Sequence, residues 1–229
     1  MIPVVFTTLV KQSKFRNGLS VACATYWFER CRPVLATPMW FTMQLAGVPE
    51  CAAPHFRGGR SYPCWELPAL ESQRWRHRNA YDAHPDDPYY VLTDDDILPF
   101  PVATDGQPWW DAVRRLFART PRLAMVQPFL LNEHTTPQGQ PDLIPARAIG
   151  GCRVVRRAAV TAMLERTNGE WPAMIPTKRG AYDAAITEAL SAAEWFCATY
   201  PGWWATHAGR NDSTISPKGY NALTETPRD

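Results

Sequence analysis

The chain has 229 residues, 45% of them hydrophobic and 20% charged, which suits one globular domain with its own core and excludes disorder and fibrous repeats. Lys and Arg total 24 against 22 Asp and Glu, so the net charge of +2 supplies no strong field for nucleic acid or an anionic membrane, and any basic surface is local. With 22 Pro, 10 Trp and only 13 Gly, the composition implies stiff, irregular connections and a surplus of flat aromatic surface of the kind that lines binding clefts.

In chain order, Ile2 to Leu9 is a β-branched run that reads as a buried strand. Leu19, Ala22, Cys23, Tyr26 and Trp27 recur at the spacing of a helical face, which Arg32-Pro33 ends. A short strand is expected near Trp40 to Leu45, followed by a long Pro- and Gly-rich loop of the sort that is usually functional. Leu67 to Ala83 reads as a helix stopped by His84-Pro85-Asp86-Asp87-Pro88, and Tyr89 to Thr93 as a strand running into Asp94-Asp95-Asp96.

Beyond this junction a helix is predicted at Trp109 to Ala118, a strand at Leu123 to Leu130, a polar loop from Asn132 to Asp142 and a segment opening on Gly150-Gly151. Two further helices are predicted at Arg157 to Thr167 and Tyr182 to Thr199. Strands alternating with helices argue for an α/β fold with a mainly parallel sheet, whose ligands bind beyond the carboxyl ends of the strands.

The six cysteines include no C-x-x-C pair, and no two His lie three to five residues apart, which argues against a zinc site. A chain of this length does not need disulfide staples, so reduced thiols in a cytoplasmic setting are expected, although disulfides remain open. No window approaches the roughly 18 apolar residues that span a bilayer, and the apolar N-terminus is too short for a signal peptide. The expectation is a soluble protein that does not engage a membrane.

The triple aspartate carries the sharpest chemistry. Three adjacent anions repel one another unless something positive sits among them, and Mg²⁺ or Mn²⁺, bound by one or two carboxylates and a substrate's phosphates, is the natural counter-charge. An acidic turn that caps the next element is the ordinary alternative; delivery by an apolar strand to a sheet edge favours a site. Asp94 and Asp96 would share one side of an extended backbone.

The stretch from Leu70 to Pro99 resembles the nucleotide-sugar glycosyltransferases of the GT-A fold, family 2 in particular, with Arg78-Asn79 as the helical Arg-Asn pair and Asp94-x-Asp96 as the D-x-D motif. Gly150 to Arg157 looks like that family's small-residue stretch and acceptor-side strand, Tyr182-Asp183 like the end of its x-E-D motif, and Trp204 to Gly209 like its C-terminal strand and loop. The resemblance implies a single GT-A-like, Rossmann-type domain over residues 1–212 with a tail at 213–229. It implies a nucleotide diphosphate-sugar donor bound by Thr7, Arg78, Asp94 and Asp95, a Mn²⁺ or Mg²⁺ held by Asp94, Asp96 and His207, and Asp183 as the catalytic base of an inverting transfer. Two departures stand out: no acidic residue occurs between Val34 and Val48 to read the nucleobase, and Tyr182 replaces the motif's Glu.

Arginines at 74, 76, 78, 114, 115, 153, 156 and 157, interleaved with aromatics, suit a diphosphate and a sugar, and equally a phosphate backbone. Three acceptor classes follow: a glycan, a small molecule, or a hydroxymethylated base in DNA such as bacteriophage glycosyltransferases modify. Two other classes of function stay open. One is a metal-dependent phosphohydrolase or nuclease, which would recruit Glu133 and Asp142 as further carboxylates. The other is a non-catalytic carbohydrate- or DNA-binding module in which the aspartates only cap.

Overall fold

The computed structural model describes residues 4–10, 23, 26–27, 30–31, 39–44, 60–64, 69–94, 96–131, 142–147, 149–173 and 181–208. They form β1 (Val4–Val10), β2 (Met39–Gln44), β3 (Arg60–Cys64), α1 (Ala69–Ala83), β4 (Tyr89–Asp94), β5 (Ile97–Pro99), α2 (Trp109–Arg119), β6 (Leu123–Leu130), β7 (Ile144–Pro145), β8 (Cys152–Arg156), α3 (Arg157–Arg166), α4 (Ala181–Ala192) and β9 (Phe196–His207). Cys23, Tyr26, Trp27 and Arg30 are also helical, as their spacing predicts.

One mixed sheet holds all nine strands in the order β3-β2-β1-β4-β8-β6-β9-β5, with β7 beside β9. β1 to β4 run parallel, β8 is wedged antiparallel between β4 and β6, and β6 and β9 resume the first direction. β5 and β7 run against β9. Six of these strands share one direction, as a mainly parallel sheet would have them, but the pairings divide evenly into four parallel and four antiparallel, so the sheet is mixed. β1 has β2 on one side and β4 on the other. The chain switches direction across the sheet there, which opens a crevice at the carboxyl ends of β1 and β4.

Alternation along the strands feeds two cores. On one face Val91, Val126 and Val154 meet Val113, Leu116 and Phe117 of α2. On the other, Tyr90, Leu92, Met125 and Val155 meet Val160 and Met163 of α3 and Ile186 and Leu190 of α4. All eight residues of β6 are buried, which explains its apolar character, and its one polar residue, Gln127, hydrogen-bonds Thr199 and the Gly150 N–H. Among the described residues, Trp27, Trp109 and Trp203 go to the first core and not to a cleft. Trp109 stacks on Trp203 with centroids 4.6 Å apart, and Trp27 meets Trp109 edge-on at 6.0 Å. The indole N–H of Trp27 donates to the Ile97 carbonyl at 2.9 Å, fixing the start of β5 from below.

Three local features depart from the sequence reading. β3 forms despite Pro63 because it is an edge strand, where proline is tolerated. β5 is too short to be legible. The last helix stops at Ala192 instead of running to Thr199: Glu194 is left-handed (φ 65°), its N–H reaches the Ser191 carbonyl, and the Trp195 N–H reaches that of Leu190, both at 3.0 Å. This is the pairing of a Schellman cap, and the β-branched and aromatic residues after it join the sheet as β9.

Arg156 and Arg157 close helix ends. Arg157 donates to the Tyr81 and His84 carbonyls at the end of α1, and Arg156 to those of Phe117 and Thr120 at the end of α2. Cys31, Cys152 and Cys197 are buried thiols outside any disulfide, and burial pushes Cys31 and Cys197 up to about 12, so neither is a nucleophile at neutral pH. Among the described residues no helix is long and apolar enough to cross a membrane.

Because Trp109 bridges Trp27 and Trp203, Trp109→Ala should leave a cavity in the first core and lower unfolding free energy by about 3–5 kcal/mol in urea titration, with a smaller loss for Trp109→Phe.

Candidate active site

β4 ends at Asp94, where the chain leaves the extended conformation, so Asp96 lies in a turn and the two-residue alternation does not extend to it. Backbone contacts clamp this turn on both sides. The Asp94 N–H donates to the Gly151 carbonyl at 2.6 Å, and the Ala208 N–H donates to the Asp96 carbonyl at 2.7 Å. The two carboxylates then go to different partners. Arg76 of α1 donates to Asp94 Oδ1, while Asp96 Oδ1 lies 3.1 Å from Nε2 of His207, the last residue of β9.

The Gly150-Gly151 segment lies beside this turn. The Gly150 N–H donates to Gln127 Oε1 at 3.2 Å, and Gln127 Nε2 donates to Thr199 Oγ1 at 2.7 Å. Gly151 is left-handed at φ 69°, a conformation glycine adopts without strain. Arg153, with 2% of its side chain exposed, places Nη1 2.5 Å from Asp183 Oδ1 in the first turn of α4 and also donates to the Ile149 carbonyl. The other oxygen, Asp183 Oδ2, faces Gly150 so closely that a Cβ there would lie 3.1 Å away. One glycine thus abuts Asp183 and the next bonds the backbone of Asp94.

Burial favours a neutral Asp94, but the charges of Arg76 and Arg153 and the Arg76 hydrogen bond outweigh it and hold the carboxyl below its usual range. Burial likewise opposes the charge on Arg153, and Asp183 and Asp94 reverse this, so the guanidinium stays protonated. His77, 1% exposed, lies at the back of the site with its ring 5.4 Å from that of Tyr182. Neither ring nitrogen has a hydrogen-bond partner among the described residues. Burial, followed by the charges of Arg153 and Arg76, drives its pKa well below 6.5, so it is neutral.

The structure thus brings Asp94, Asp96, Asp183 and His207 to the carboxyl-end crevice, and puts Thr7 of β1 in register with Asp94. Arg78 is not brought there: its side chain is 66% exposed and pairs with Asp82 at 3.6 Å. Arg76 takes the inward position, because two residues along a helix is more than half a turn. Its signal was Ala80, four residues on and fully buried, which marks the inward face. Arg153 is a second site residue that sequence reasoning left among surface cations. Asp95, Asn132, Glu133, His134 and the 213–229 tail lie outside the described residues. Asp142 is exposed and pairs with Arg119 at 3.5 Å.

Among the described residues no group of three or more His, Cys, Asp or Glu side chains is arranged to hold a metal ion. Asp96 and His207 nevertheless offer one oxygen and one nitrogen donor side by side, a partial set that fits Mg²⁺ or Mn²⁺ when phosphate and water oxygens complete the shell. Asp94 is occupied by Arg76.

Solved structures with this architecture include proteins crystallised with UDP and a divalent metal. GalNAc-T7, crystallised with UDP, GalNAc and Mn²⁺, superimposes with a TM-score of 0.60 at 9% identity, covering 98% of this chain and 48% of its own. The fold is GT-A-like. Glucosyl-3-phosphoglycerate synthase from Mycobacterium tuberculosis, with Mn²⁺, UDP and phosphoglyceric acid, gives 0.54 at 12% identity over all of this chain and 80% of its own. Residues 1-349 of S. aureus TarS give 0.53 at 8% identity over 97% of this chain and 62% of its own. The chain therefore spans about half of GalNAc-T7 and less than two thirds of the TarS fragment. No protein-family model matches the sequence, and no curated protein matches it.

The depressed pKa of His77 should make this GT-A-like domain acid-sensitive. As pH falls below about 6.5 the unfolded chain protonates His77 while the folded chain does not, so stability is full above that pH and lost below it. His84, also lowered by burial, adds a loss of the same sign. The fall in Tm between pH 7 and pH 5 should therefore be smaller in His77→Leu than in the parent; equal falls would show that His77 does not carry the effect.

Proposed function

We propose that this protein is a glycosyltransferase that moves a sugar from a nucleoside diphosphate donor to an acceptor hydroxyl, with inversion and with the aid of Mg²⁺ or Mn²⁺, from one domain spanning residues 1–212. The observation that carries this reading is the meeting of the Asp94 turn, the Gly150-Gly151 segment and Asp183 at the switch point of a GT-A-like sheet. The UDP and Mn²⁺ in the crystals of GalNAc-T7 and glucosyl-3-phosphoglycerate synthase support the donor and metal classes.

In this reading the acceptor oxygen attacks the anomeric carbon as its proton passes to Asp183 Oδ2. The bond from that carbon to the diphosphate oxygen breaks, and the electron pair leaves with the nucleoside diphosphate. A divalent cation held by Asp96 and His207 would stabilise negative charge as it develops on the diphosphate. Thr7, midway along β1 and in register with Asp94 rather than at the strand's end, would meet the nucleoside, with Asp94 and Asp95 on the ribose and diphosphate side. Arg76 fits the diphosphate role better than the exposed Arg78.

A glycan or small molecule is the acceptor class favoured over a hydroxymethylated base in DNA. Arg153, Arg156 and Arg157 are committed to internal partners, and Arg114 and Arg115 pair with Asp111 and Asp105 at 3.3 and 2.7 Å. That leaves little of the basic stripe for a phosphate backbone. The nuclease alternative is weakened by Asp142, which engages Arg119 at the surface.

Thermal unfolding against UDP, GDP, CDP and dTDP, with and without Mn²⁺, tests this reading. One nucleotide should raise Tm only with the metal, by the equivalent of about 2.7 kcal/mol at roughly 100 times its dissociation constant. Asp96→Asn should abolish that rise and leave the ligand-free Tm nearly unchanged. Asp183→Asn should keep the rise while lowering turnover by about 10²–10⁴-fold. If no nucleoside diphosphate shifts Tm, the donor assignment is wrong.

A further inference from the structure

We propose that Arg153 is a positioning residue for Asp183, holding Oδ1 so that Oδ2 alone is presented to the acceptor across the clearing left by Gly150; this rests on the reading of Asp183 as the base. Three observations carry it. Arg153 is buried, and its Nη1 lies 2.5 Å from Asp183 Oδ1. The same nitrogen donates to the Ile149 carbonyl, which ties the guanidinium to the residue preceding Gly150. Gly150 itself is fixed by Gln127 at 3.2 Å, and its Cα side is where a Cβ would come within 3.1 Å of Oδ2.

A carboxylate on the first turn of a helix rotates about two side-chain bonds, and either oxygen can take a proton. Engaging one oxygen with a buried cation removes that freedom and leaves a single accepting atom, which is the preorganisation a base requires. A side chain at position 150 would fill the space in which that atom meets a hydroxyl. The backbone of α4 is held independently by the Thr187 hydroxyl, which donates to the Asp183 carbonyl at 2.7 Å, so the side-chain arrangement is separable from the helix.

The charged and titratable groups around this pair are few. Arg153 on β8 also feels Asp94, Cys152, Tyr90 of β4 and Cys197 of β9, and it opposes protonation of His77 on α1 together with Arg76, with Tyr182 beside Asp183 on α4. Asp94 is already paired with Arg76, and His77 is neutral. Arg153 is therefore the direct cationic partner of Asp183.

The test follows release of nucleoside diphosphate to water from UDP-, GDP- and dTDP-glucose with Mn²⁺. Arg153→Met should lower kcat about tenfold at pH 7 and leave the donor KM within about twofold, since the carboxylate loses the contact that fixes its orientation. Arg153→Lys should restore part of the rate. Gly150→Ala should lower kcat by a similar factor with the donor KM unchanged.

The decisive comparison is Asp183→Asn with and without Arg153→Met: if Arg153 acts only through Asp183, the second change adds less than about twofold. An unchanged kcat in Arg153→Met, or losses that multiply in the double variant, would overturn the positioning role while leaving Asp183 as the base. Should Arg153→Met fail to fold, the Lys and Gly150→Ala variants decide the question alone. Full activity in Asp183→Asn would remove the base and this inference together, and no release from any of the three donors would remove the glycosyltransferase reading itself.

Discussion

A fully charged arginine held almost out of water organises this site. Removing a guanidinium from solvent is tolerable only when its charge and its donors are answered locally, and Arg153 finds Asp183, the Ile149 carbonyl and the field of Asp94 within reach. Each partner lies on a different element, α4, the segment before β8, and β4. Satisfying one buried cation thus draws three parts of the chain to a common point. Burial is the main reason His77 is neutral, and the same concentration of positive charge, from Arg153 and Arg76, adds to it in opposing protonation.

The sheet decides where that point falls. β8 runs against its neighbours, so its first residues lie beside the last residues of β4, and Thr93 pairs with Cys152. The glycine segment that enters β8 therefore arrives next to the aspartate turn that leaves β4. A parallel strand in this slot would have delivered the opposite end of its sequence. β9 closes the other side of the turn, with His207 in register with Ile97.

The tryptophans and arginines illustrate how composition misleads about surface. Flat aromatics read as cleft material, yet Trp27, Trp109 and Trp203 form a stacked, edge-on trio beneath the site, where their large apolar faces are worth most. Arginines read as a basic stripe, yet Arg156 and Arg157 donate to orphan carbonyls at two helix ends. Both residue types are amphipathic, and their use depends on what the fold places nearby.

The sequence by itself determined the elements whose signals are local: the β-branched start of β1, the apolar run of β6, the Pro-rich stop of α1, and the delivery of Asp94 to a strand end. Motif order further indicated the GT-A-like fold and named Asp96, Asp183 and His207. Tertiary structure alone decided the pairings. Arg76 faces Asp94 and Arg78 faces solvent because of the phase of α1 against the sheet, and Arg153 reaches Asp183 across 30 residues because β8 and α4 share a core. β3 and β5 were illegible because edge strands owe their existence to a neighbour's unpaired backbone and not to their own sequence. Local periodicity encodes which face of an element is apolar, but the partner of a buried charge is set by chain segments distant in sequence, whose meeting no local pattern records.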